Sequence, residues 1–275
     1  MTQSNRVVTV LLSLLLMSAC GDESHTFEND PDPHQPGAIV LKHDRLIQAT
    51  GISADPDGTQ RYVLDGEAGI FEMNADETLT LIWERPDTLP PLTDLCAIGG
   101  GRFIAAADGD GYVIDLASGA ARQHFCLEPG WDPGFDEEVR HLNRSVACDL
   151  ENRLIYGQPR TVPQTGEPLP IRAEIASYSL ISGNDLQWIQ LPDPEFYAGG
   201  MTILPGGRVL LGMDSTLHVY DPAAGVLVDT QNIAGLGVRV IAGLSFQPQT
   251  GQLTVLDEAG QTLRTIDAKD LNLAL

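Results

Sequence analysis

The chain is poor in lysine. Only Lys42 and Lys269 occur, the other 14 of its 16 basic residues are arginine, and 38 carboxylates oppose them for a formal charge of −22. That sign argues against nucleic acid or anionic lipid as a partner, since both are negative themselves. Long apolar runs are missing as well. The stretch 7–16 is too short to cross a bilayer as a helix, which takes about 20 residues. Catalytic spacings are scarce: there is no GxSxG, no HExxH and no P-loop lysine, so no catalytic residue is assigned. The absence of CxxC sets aside redox catalysis and zinc, and no metal ligand is assigned.

What is present begins at the N-terminus. Arg6 precedes the apolar run 7–16, and Met17-Ser18-Ala19-Cys20 follows it. A charged start, an apolar middle and a small-residue exit make a signal peptide. The cysteine directly after Ser18-Ala19 makes this segment resemble a bacterial lipoprotein signal. That resemblance implies cleavage before Cys20, a diacylglycerol on its sulfur and acylation of the new amino group. Two or three chains anchor stably where one is marginal. In the resembling family an aspartate after the cysteine retains the protein at the inner membrane; Gly21 stands there, so the expectation is the outer membrane. Residues 21–37, GDESHTFENDPDPHQPG, carry too little apolar surface to fold. Fully stretched, they span about 55 Å. The expected organisation is therefore 1–19 signal peptide, 20–37 lipidated cysteine and acidic tether, and 38–275 folded domain.

After Cys20 three cysteines remain, Cys96, Cys126 and Cys148. Disulfides persist in an exported protein, and an odd count leaves one thiol over. The expected bridge is Cys126–Cys148, closing the segment between them. Cys96, inside the apolar run Leu95-Cys96-Ala97-Ile98, is expected as a buried thiol.

The domain repeats itself. Segments 51–74, 94–116, 144–180, 199–222 and 242–267 align. Each opens on small and apolar residues (GIS, DLCA, SVAC, GGMTI, AGLSF), passes a polar turn and enters a second strand (RYVL, RFIA, RLIY, RVLL, QLTV). The second strands begin at Arg61, Arg102, Arg153, Arg208 and Gln252, at spacings of 41, 51, 55 and 44. Acidic turns such as DGEAG and DGDG lead to a third strand, and Asp-Gly between β-prone runs is a hairpin signal. Fourth strands are expected at 79–83, 123–127, 186–191 and 226–233. Four strands in 40 to 50 residues make the blade of a β-propeller, so the expected fold class is all-β, with five four-stranded blades and six as the alternative. The last unit lacks a fourth strand of its own. Residues 38–42 and 45–48 are expected to supply it and close the ring, with 271–275 as the alternative. The rhythm of residues 38–270 resembles the bacterial propeller repeats of the NHL and YVTN type.

In a propeller the fourth-to-first and second-to-third connections share one face. The long link 127–143, the proline-bearing insert 158–172 and the link 85–93 all load that face, and long loops there are often functional. Trp131 and Phe135 are the expected partner contacts. The starts of the innermost strands place Asp94, His141, Arg144, Tyr197 and Arg239 at the channel mouth as candidate ligand-binding residues. Two arginines in so acidic a chain suit a carboxylate or phosphate. No cofactor is expected; calcium on Asp65, Glu67, Asp108, Asp110, Asp214 and Asp257 is the alternative. The expected function is a lipid-anchored, non-catalytic binding or scaffold module in the cell envelope. Its partner would be an envelope protein or component, reached through the loop-rich face. The alternatives are a calcium-dependent hydrolase or lactonase of propeller type and a purely structural envelope lipoprotein.

Overall fold

Short β-prone runs, each ended by a Gly- or Asp-bearing turn, build the domain. The computed structural model describes residues 37–107, 109–126, 130–132, 137–163, 172–259, 261–271 and 273. Within them, β1 (Ala38–Val40) precedes blade 1, formed by β2 (Ala49–Ala54), β3 (Arg61–Asp65), β4 (Gly69–Met73) and β5 (Leu79–Glu84). Blade 2 is β6 (Leu92–Gly99), β7 (Arg102–Ala107), β8 (Asp110–Asp115) and β9 (Ala120–Cys126). Blade 3 is β10 (Gly130–Asp132), β11 (Glu137–Asp149), β12 (Leu154–Pro163), β13 (Arg172–Ser179) and β14 (Asp185–Gln190). Blade 4 is β15 (Gly200–Leu204), β16 (Arg208–Met213), β17 (Thr216–Asp221) and β18 (Val226–Asn232). Blade 5 is β19 (Ile241–Gln247), β20 (Gln252–Asp257), β21 (Thr262–Asp267) and, as its fourth strand, β1.

Period-two alternation explains why these sheets form a ring rather than a stack. On β7, Phe103 and Ala105 pack toward blade 1, whereas Ile104 and Ala106 pack toward blade 3. On β16, Val209 and Leu211 face blade 3 while Leu210 faces blade 5. Every blade thus has two apolar faces, and five apolar cores form between neighbours. The one between blades 5 and 1 joins Ala242, Leu256 and Leu263 to Ile52, Val63 and Phe71. The inner strands β2, β6, β11, β15 and β19 follow one another around the axis. They approach closely: a Cβ on Gly200 would lie 2.5 Å from the Gly243 Cα, so only glycine fits there.

The closing strand is where the expectation put it. Ala38, Ile39 and Val40 of β1 pair with Arg264, Leu263 and Thr262 of β21. That pairing completes blade 5 with a strand from before blade 1 and so joins the first and last parts of the ring. Residues 45–48 are not part of that strand; the Asp65 carboxylate takes the Ile47 and Gln48 N–H groups at 2.5 and 2.8 Å and holds them as a loop. The count is five blades, and Leu271 ends a 3-10 turn rather than starting a strand.

Three further expectations are corrected. The disulfide is Cys96–Cys148, with a Cα–Cα separation of 5.9 Å, and not Cys126–Cys148. Cys96 on β6 and Cys148 on β11 face each other across neighbouring inner strands, within the normal bridging range. Cys126 sits at the end of β9, the outer strand of blade 2. The link 127–143 is not merely a loop, since β10 and the first half of β11 lie in it. The insert 158–172 is also partly strand, because β12 runs on to Pro163. Blade 3 therefore has a fifth strand, β10, on the edge of β11 opposite β12.

Candidate functional site

Both ends of the central channel are built from the same five strands. The upper mouth lies at their N-terminal ends, where Asp94 begins the polar stack. Its side chain is 1% exposed. Oδ1 accepts the Leu95 N–H at 2.9 Å and Oδ2 the Val146 N–H of β11 at 3.1 Å. The Met201 N–H of β15 also donates to it. Gly51 of β2 leaves room on the fourth side, since a Cβ there would be 2.7 Å from Asp94 Oδ1. One carboxyl thereby ties blades 2, 3 and 4 together. Burial pushes it well above the usual carboxylate range, against the pull of the three N–H groups and of Arg144. Asp94 is a closed structural plug.

Above it, Arg144 and Tyr197 do come together. The Arg144 guanidinium stands 5.2 Å from the Tyr197 ring centroid, and Arg160 stands 4.4 Å from the same centroid. Both distances are within cation–π range. The only ion pair of Arg144 among the described residues is Glu258 of blade 5, at 3.6 Å. Gln48 holds the other Glu258 oxygen at 2.6 Å. Arg160 has no ion pair among the described residues, and its Nε is buried without a hydrogen bond.

Tyr197 is held in place from below. It belongs to the link between β14 and β15, whose backbone is gripped by two fully buried side chains. Gln158 donates to the Phe196 carbonyl at 3.3 Å and accepts the Ala198 N–H at 3.1 Å. Ser145 donates to the Ala198 carbonyl at 2.6 Å. The ring therefore meets the two guanidinium groups on a fixed backbone.

Of the other expected residues, Arg239 lies in the link before β19, where its N–H donates to Asp257 Oδ1 at 3.2 Å. His141 is on β11 opposite Thr161, and Trp131 is on β10 opposite Glu138. Asp108, Phe135, Cys20, the signal 1–19 and the tether up to residue 36 lie outside the described residues. Asp65 and Asp257, two of the acidic-turn residues, spend oxygens on backbone N–H groups of the loops before β2 and β19. Sequence reasoning missed Arg160, Gln158 and Glu258. Arg160 was hidden in a proline-rich stretch read as loop, although strand pairing sets it opposite Leu142, two residues from Arg144.

The lower mouth differs. Here the C-terminal ends of the five inner strands surround an open cavity of about 470 Å³. Leu95, Met201, Leu244 and the Cys96–Cys148 bridge line it, with Asp55, Asp149 and Glu151 also at its wall. The aligned openings GIS, DLCA, SVAC, GGMTI and AGLSF explain its construction. In the third aligned position, Ser53 accepts the Ala97 N–H of the next blade at 2.9 Å, and Thr202 accepts the Phe246 N–H at 3.1 Å. Cys96 occupies that position in blade 2, and it reaches the fourth position of blade 3, Cys148, covalently. The disulfide is one member of a ring of inter-blade latches.

No protein-family model matches this chain, and no curated protein matches it either. The architecture is that of a five-bladed β-propeller.

Proposed function

We propose that this chain is a lipid-anchored envelope protein whose propeller binds a partner through the upper mouth, without catalysis. The observation that carries the reading is the pair of guanidinium groups on the Tyr197 ring, of which Arg144 alone is ion-paired, with Glu258, among the described residues. One positive charge is left over at a rigid site on a protein of charge −22. An acidic group of an envelope partner, carboxylate or phosphate, satisfies it, since arginine presents a planar fork to such anions. β10 enlarges the same face. On this reading Cys20 carries the lipid anchor and the acidic residues 21–37 are a spacer before the propeller. No cofactor enters this reading.

Affinity capture from the native envelope tests it. Wild type and Arg144→Glu/Arg160→Glu are compared for recovered partners, with unfolding midpoints as a control. Loss of a specific partner from a folded variant is expected, and an identical partner set overturns the assignment. Labelling with a fatty-acid analogue in wild type and Cys20→Ala tests the anchor; equal labelling refutes it.

A further inference from the structure

We infer that the lower cavity is a second binding site, for a small organic cation: an ammonium or guanidinium carried on an apolar body. Its volume of about 470 Å³ falls in the range of small-molecule pockets, and its floor is apolar, as such pockets are. Three carboxylates, Asp55, Asp149 and Glu151, reach its wall, and no lysine, arginine or histidine lines it. None of the three has an ion pair among the described residues. Asp149 accepts hydrogen bonds from Asn152, in its own turn, and Asp55 accepts the Tyr62 hydroxyl. Their charge is therefore uncompensated.

An independent observation comes from the latch ring. Ser245 occupies the position that Ser53 and Thr202 occupy in their blades, yet its hydroxyl makes no hydrogen bond among the described residues. Ser245 is 7% exposed and lines the cavity. That hydroxyl opens onto the cavity, where a ligand donor can reach it. The ligand's N–H supplies one to Ser245 while its charge faces the carboxylates and its apolar body covers Leu95, Met201 and Leu244. This site is separate from the upper mouth, and its failure leaves the proposed partner binding untouched.

The test is calorimetric titration of the full chain in a non-ionic detergent, against a detergent blank. The probes are phenethylamine, the neutral 2-phenylethanol and the anionic phenylacetate, with wild type, Ser245→Ala and Glu151→Gln. Saturable one-to-one binding of the amine, at least about tenfold tighter than the alcohol, is expected. Each substitution is expected to weaken it by roughly fivefold, the scale of one partly exposed charge pair or one hydrogen bond. Glu151 makes no hydrogen bond that folding needs, so its variant separates binding from stability. Equal affinity for amine and alcohol, no binding of the amine, or amine binding that survives both substitutions unchanged overturns the inference.

Discussion

The two mouths of one channel have opposite chemistry. The upper mouth is closed: Asp94 plugs it and Glu258 bridges Gln48 to Arg144 over it. Its working groups are cationic. The lower mouth is open, apolar at its floor and acidic at its wall. The same strands supply both, so the difference comes from what each end carries. Long connections accumulate at the upper face, whereas the lower face has tight hairpin turns that leave the axis uncovered. A propeller can thus separate two recognition chemistries by the length of its fold without altering the strands between them.

The largest expected effect breaks the lower mouth. Replacing both Cys96 and Cys148 by serine removes a cross-link between residues 52 apart. The loss should be about 4 kcal/mol on the chain-entropy account, measured by urea unfolding. Cys126→Ser should shift stability by less than about 0.5 kcal/mol, as surface changes do. Peptide mapping without reduction should recover Cys96 joined to Cys148.

Next is the upper plug. Asp94→Ala leaves buried N–H groups of three strands without an acceptor and should cost about 3 kcal/mol near pH 4. The sign of its pH dependence follows from burial. The folded-state pKa lies above the unfolded value of about 3.9. The stabilisation from Asp94 is therefore complete below that pH and declines as pH rises through the folded pKa. The gap between wild type and Asp94→Ala should narrow with rising pH; a gap that widens contradicts a carboxyl whose pKa burial has raised.

Gln158→Ala releases both Phe196 and Ala198 and should cost about 2 kcal/mol, from two lost buried hydrogen bonds. It should also weaken partner capture by loosening Tyr197. Arg160→Gln should cost the fold less than Gln158→Ala, under about 1 kcal/mol, because Arg160 has no ion pair to lose among the described residues. It should still reduce partner capture. Together these variants separate holding the upper site from being the upper site.

Much of the ring was legible in the sequence because it rests on local patterns. Alternation on RFIA and RVLL gives two faces per strand, and the missing fourth strand of the last unit points to residues 38–42. The disulfide was not read, because Cys96 in an apolar run looks the same whether bridged or not. The aligned openings held the answer: DLCA and SVAC put the two cysteines at adjacent positions of adjacent inner strands. At the site, Arg144 and Tyr197 were found from the starts of inner strands, a property of topology. Arg160 was not, because Pro159 and Pro163 argue locally against the strand that tertiary pairing imposes. The lower cavity left no local signal at all. It is a space between strand ends, and only the assembled ring defines it.

The central claim is that the partner meets the upper mouth. Site-specific photo-crosslinking in the native envelope tests it most directly. A photoreactive residue is placed at Glu195, exposed in the Tyr197 link, or at Glu151, exposed at the lower mouth. The account predicts a discrete protein adduct from Glu195 that disappears with Arg144→Glu/Arg160→Glu, and none from Glu151. The same adduct arising only from Glu151 contradicts it.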